Sequence, residues 1–279
     1  MLSQLIGAVV RAIIVLLVVA TPSLILPGTT AEGAQMVTLV GLALAGFVAM
    51  EYGATYPALV EFRDAPPFNR VRALTLMLTL FSLSVVIAGG PDSSLALVLR
   101  ALGLVMGAAL DFPWSPMTVI LDRLPDGMAP VSLAEIKVMV GLTIFIMLGA
   151  LAIFALLLRL RQWPNREMAF NVWINLPTFD PTAGGDVVKR LKRDARINII
   201  LGFALLFVVP IIAIFAARHM GMSILGSHHT MVWGIALWMF LPLSLFMRGL
   251  AMGRIADMIT NRRARLVAAV AADAPRTAY

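Results

Sequence analysis

Residues 133–158 read LAEIKVMVGLTIFIMLGALAIFALLL, and between Lys137 and Arg159 no charged side chain interrupts them. A helix that crosses ~30 Å of hydrocarbon needs roughly 20 predominantly apolar residues, and this run supplies them. A barrel strand would alternate apolar with polar side chains, whereas here both phases are apolar. In lipid every backbone N–H and C=O has to be bonded within its own segment, which leaves helix as the conformation for such a run.

Six further apolar runs lie on either side of it, at 5–26, 36–59, 73–88, 95–110, 197–217 and 231–252. Those at 73–88 and 95–110 are short for a full crossing. Over 279 residues the hydrophobic fraction is 60%, the charged fraction 13% and the mean hydropathy +0.92. A water-soluble domain of that composition lacks the polar side chains to cover its own core. The expected fold is therefore an all-α polytopic transmembrane helical bundle, a single integral membrane domain over residues 1–279, with about seven spans and short interfacial helices. Six spans result if one of the middle runs fails to cross. Arg11 interrupts the first run and no basic cluster precedes it, so the run reads as a span rather than a cleaved leader. The chain has no cysteine, which excludes disulfides, thiolate metal sites and cysteine nucleophiles.

Orientation follows from the 22 basic residues, of which eight lie in the 159–196 segment and five in the 254–279 tail. Both regions are expected on the cytoplasmic side, in keeping with a bacterial inner membrane. The net charge of +7 then belongs mainly to two surface stretches, with Lys189, Arg190, Lys192 and Arg193 in one and Arg262, Arg263 and Arg265 in the other. These are expected to meet anionic lipid headgroups, so the basic pI does not call for a nucleic-acid partner. Parity is harder to satisfy upstream. The linker at 61–72 carries Arg63, Arg70 and Arg72, yet three runs separate it from Arg159. The seven-span reading places this linker and the N-terminus outside.

The loops carry their own signals. Residues 111–130 hold four prolines and Trp114, and their apolar stretch at 117–121 is too short to span; it is expected in the interface, with a re-entrant half-helix as the sharper alternative. In the segment 162–186, Phe170, Val172, Ile174 and Leu176 alternate with Asn171, Trp173 and Asn175, which predicts a short extended stretch ended by Pro177. Either it lies against the bundle or its open edge pairs with a partner. Asp186 is placed to cap a basic amphipathic helix that runs straight into the span at 197–217.

Ionisable residues inside spans are the default candidates for function, because each costs at least ~2.5 kcal/mol near the bilayer centre. Here they form one expected intramembrane cluster of Arg11, Glu51, Arg100 and Asp111. Arg100, Gly103, Gly107 and Asp111 fall on one helical face, and Gly103 and Gly107 make a small-residue pair for close helix packing, as do Gly249 and Gly253. Glu51 is the expected partner of Arg100, either as a structural ion pair or as part of a proton or ion relay. Arg248, near the end of the last run, is expected to snorkel. His219, His228 and His229 share one loop with Met220, Met222 and Met231, donors that suit copper or a haem axial position; the plainer reading is ordinary interface histidines.

No phosphate-cradling loop, metal-binding helix motif or nucleophile elbow is present in the sequence, and the first half does not repeat in the second. The preferred reading is a non-enzymatic accessory subunit, scaffold or assembly factor of a membrane complex, with a membrane protein or a second copy as partner. A small transporter or channel working through Glu51, Arg100 and Asp111 is the alternative, and a membrane redox or metal protein using the histidine loop is the third. The sequence names no cofactor.

Overall fold

The computed structural model describes residues 2–123, 131–160, 163, 171–180, 182, 184–220 and 226–273. Nine helices are formed among these residues, and no strand. They are α1 (Leu2–Ile25), α2 (Ala31–Gly53), α3 (Phe68–Ala88), α4 (Ser94–Ala109), α5 (Pro116–Leu121), α6 (Leu133–Leu160), α7 (Val172–Asn175), α8 (Val187–Met220) and α9 (His228–Asp273). Six of them, α1, α2, α3, α6, α8 and α9, are long and apolar enough to cross a membrane. The chain is a helical integral membrane protein, and the six are its candidate spans.

The run at 95–110 accounts for the difference from seven. It forms α4, whose 16 residues extend only about 24 Å. Its contacts explain where it goes. Arg100 donates to the carbonyls of Val86 (2.7 Å) and Gly89 (3.0 Å), at the end of α3. Farther along, Gly103 and Gly107 press on Val138 and Lys137, near the start of α6. Both ends of α4 thus stay where α3 stops and α6 begins, and the helix lies across α6 instead of running to the far end. Its glycines permit this: a Cβ on Gly103 would collide with the Val138 carbonyl oxygen, and one on Gly141 of α6 would come within 2.6 Å of the Gly107 nitrogen. Gly103 and Gly107 both face α6.

With α4 set aside, parity resolves differently from the seven-span reading. The 61–72 linker lies at the same end of the bundle as the 163–180 segment: Phe62 N–H donates to the Asn175 carbonyl (2.7 Å), Asp64 N–H to the Asn175 side chain (3.1 Å), and Trp163 Nε1 to the Ala65 carbonyl (3.2 Å). Only α3 and α6 separate the two segments, an even number of crossings. The start of α1 is at this end too, since Gln4 lies 3.4 Å from the carbonyls that close α2. The expected placement of the N-terminus and this linker on the side opposite the basic tail is therefore corrected. The start of α1, the end of α9 and the linker share one end, hereafter the basic end.

The alternation at 170–176 also gives way. Residues 172–175 form a single helical turn, closed by Asn175 N–H to the Asn171 carbonyl (3.1 Å), while Phe170 lies outside the described residues. A strand there would have left its edge groups open; the turn instead hands the Asn175 carbonyl and side chain to the linker. Leu176 and Phe179 follow into the core beside Phe62 and Phe68. The antiparallel pair α8 and α9 completes the bundle. Gly249 admits Ala195 and Ile199 of α8 so closely that a Cβ would sit 2.8 Å from either, whereas at Gly253 the nearest atom would be 4.0 Å away. Of the two glycines singled out on this run, Gly249 is the one that the packing requires.

Candidate functional site

Polar chemistry concentrates at the basic end, in two adjoining parts. The first is a part-buried network centred on Glu61. Its carboxylate receives Nε and a terminal nitrogen of Arg248 at 2.6 and 2.8 Å, a bidentate geometry, and the hydroxyl of Thr178 at 2.7 Å. Arg248 donates a further bond to Asn198 of α8 (3.0 Å). The Glu61 carbonyl accepts from Asn69 (2.7 Å), and Arg72 reaches Ser244 of α9 (3.2 Å) while lying between the rings of Phe68 and Phe240. The Glu61 carboxylate thereby joins the linker to the 171–180 segment and α9, its carbonyl joins α3, and Arg248 extends the network to α8. Fork-to-carboxylate pairing of this kind is among the stronger side-chain interactions because both bonds are charge-assisted.

The second part is a cleft of about 520 Å³ between the start of α1 and the end of α2, lined by Gln4, Gly7, Arg11, Tyr52, Thr55, Arg63 and Asp64. Its floor is built by two reciprocal caps. The Glu51 carboxylate accepts the backbone N–H groups of Ala58, Leu59 and Val60 at 2.9–3.2 Å, and Arg63 donates to the carbonyls of Glu51, Ala54 and Thr55. The carboxylate fills the exposed donors of the turn after α2 and the guanidinium fills the open acceptors at the helix end. Arg11 lies over the ring of Tyr52, 4.6 Å from its centroid, and donates to the Gly7 carbonyl (2.7 Å).

The expected intramembrane cluster is thus not assembled. Glu51 and Arg11 share the basic end but each serves its own local contact. Arg100 caps α3 near the opposite end, and Asp111 pairs with Lys137 of α6 at 2.5 Å. Arg100 and Glu51, expected to pair, have the backbone as their partners. The reason is physical: at a helix end the unsatisfied backbone groups are nearby and fixed, so a long charged side chain finds them before it finds a distant opposite charge. Arg248, expected to snorkel, makes a part-buried ion pair instead. Its partner Glu61 is 187 positions away in the sequence, a separation that no local pattern encodes.

The bases of α8 and α9 make local contacts. Lys192 pairs with Asp257 across α8 and α9 (3.4 Å), and Arg263 with Asp186 (2.8 Å). The Arg263 hydrogen bond holds the Asp186 carboxyl below the usual carboxylate range against desolvation, helped by the backbone N–H groups of Val188 and Lys189. Asp186 also caps α8 through Val188 N–H (3.3 Å), as expected. Arg193 meets Asp194 (3.2 Å), and Arg190 donates to the Asp180 carbonyl beside the Phe179 ring. Lys189, Arg262 and Arg265 are exposed.

At the opposite end, His219 stacks on Phe215 and bonds its carbonyl, and His228 and His229 open α9. Among the described residues no group of three or more His, Cys, Asp or Glu side chains is placed to hold a metal. The structure does not gather the three histidines into a ligand set. Trp114 projects outward, 81% exposed, while the stretch expected at 117–121 folds as α5 with Met117 and Ile120 turned into the core. Comparison with known proteins returned no match to a protein-family model, a characterised sequence or a solved structure.

Proposed function

We propose that this chain is a non-enzymatic subunit or scaffold of a membrane complex, working through a helical arm at its basic end. The observation that carries this reading is the continuation of α9. The helix passes the ion pair of Arg263 with Asp186, just before α8, and runs on to Asp273, with every side chain from Asn261 to Ala271 exposed. Leu266, Val267 and Val270 are 59–72% exposed on this extension, next to Arg262 and Arg265. A short helix held by nothing along its length is marginal in water, so the arm gains order from an apolar and anionic surface that receives it.

The charge distribution supports a cytoplasmic position for the arm. Among the described residues only Arg100, Arg123, Lys137 and Arg218 are basic at the opposite end, where Glu32, Asp92, Asp111, Asp122 and Glu135 outnumber them. Under the positive-inside rule the basic end faces the cytoplasm of a bacterial inner membrane. Transport through Glu51, Arg100 and Asp111 has less support, because those groups are divided between the two ends and each is bonded locally. The test is truncation after Ala264, which keeps the Arg263–Asp186 pair and all of α9 before it. Extracted in mild detergent, the full chain should run as a complex with one stoichiometric companion, and the truncated chain should run alone with its thermal melting unchanged. Equal complex mass for both forms would refute the arm as the docking element.

A further inference from the structure

The cleft between α1 and α2 is chemically unlike the surface bases of α8 and α9. Two guanidinium groups line it, that of Arg11, which lies over the Tyr52 ring, and that of Arg63. The acids nearby are engaged: Asp64 is held by Arg63 at 3.2 Å, Glu61 by Arg248, and Glu51 by backbone N–H groups. Arg11 makes no ion pair among the described residues, and its charge is answered only by a ring face and one carbonyl. The Arg11 guanidinium is exposed at the cleft, where an anion at a lipid surface can answer its charge.

The direction of Arg11 identifies where that anion comes from. Its Cα is seven residues beyond Gln4, about 10 Å along the helix, while its head bonds the carbonyl of Gly7, back toward the basic end. This is the posture of a snorkelling side chain whose stem stays in oil and whose head reaches the interface. Below the cleft, the outward surface of α1 is apolar, with Leu5, Ile6, Val9 and Val10 each about half exposed (48–59%). We infer that the cleft holds the phosphate of an anionic phospholipid, bound by Arg11 with Gln4, Tyr52 and Thr55 around it, its acyl chains lying along α1.

Native mass spectrometry of the full chain, purified in detergent and titrated with phosphatidylglycerol or phosphatidylcholine, tests this. One phosphatidylglycerol should be retained about tenfold more tightly than phosphatidylcholine, whose choline cation neutralises the phosphate charge that Arg11 would meet. Arg11→Gln should abolish that preference while the bases of α8 and α9 remain. Thr55→Asp, at an exposed position on the cleft rim, should do the same without touching the packing. Retention unchanged in the folded Thr55→Asp protein, or equal retention of the two lipids by the unaltered protein, would overturn the inference. Displacement of the lipid by millimolar inorganic phosphate would overturn the lipid assignment in favour of a soluble anion.

Discussion

Glu61 shows how one linker side chain can govern a membrane bundle. Its carboxylate is 13% exposed and its partner Arg248 27%, so the pair is shielded but not dry. Removing one member strands the other's charge, which in a fully buried pair costs about 3–5 kcal/mol, and partial exposure reduces that to about 1–3 kcal/mol here. Glu61→Gln and Arg248→Met should each lower the melting temperature in detergent. The double variant should lose less than the sum of the two, because an apolar neighbour no longer leaves a charge behind. Strictly additive losses in such a cycle would show that the two side chains do not act on each other. The same reasoning explains why Arg100 was mispaired on sequence grounds. A charge inside an apolar run announces that it needs a partner, but the nearest partners are carbonyls at helix ends, which every sequence has and none marks.

Helix packing is where glycine spacing can be read and where it misleads. Gly103 and Gly107 face α6 because nothing larger fits between α4 and the carbonyls of Val138 and Lys137. Gly249 and Gly253 have the same spacing in the sequence, yet only Gly249 is pressed by its neighbour. The pattern locates a candidate face; the depth at which two helices meet decides which glycine matters. Gly103→Ala and Gly249→Ala should therefore each destabilise by about 1–3 kcal/mol through overpacking. Gly253→Ala should be neutral or slightly stabilising, because alanine favours helix and its methyl has 4.0 Å of room. Thermal melts of the three variants separate these outcomes, and equal losses at 249 and 253 would contradict the packing described. The turn at α7 belongs to the same scale. Residues 171–176 alternate like a strand, but the amide of Asn175 closes a turn back on Asn171, a contact that periodicity does not report.

For the molecule as a whole, the helical membrane class was open to inspection in composition and run length, since both depend on transfer from water to oil, summed over many residues. Span number was not, because it turns on whether one 16-residue segment crosses or lies across a neighbour. That choice is made by three glycines, at 103, 107 and 141, and by the hold of Arg100 on the end of α3. Its consequence is global: with α4 at one end, six crossings bring the start of α1 and the end of α9 to the basic end, and a seventh would separate them. The chain contains no cysteine, so single cysteines report sidedness without background. Introduced at Ser227, a cysteine should react with an impermeant maleimide added to intact cells; introduced at Thr178 or at Thr55, it should react only after the membrane is opened. Tags before Leu2 and after Tyr279 should be protected together. Outside labelling at Thr55 with protection at Thr178 would restore a seventh crossing, and with it the need for a different account of how Phe62 and Asp64 come to bond Asn175.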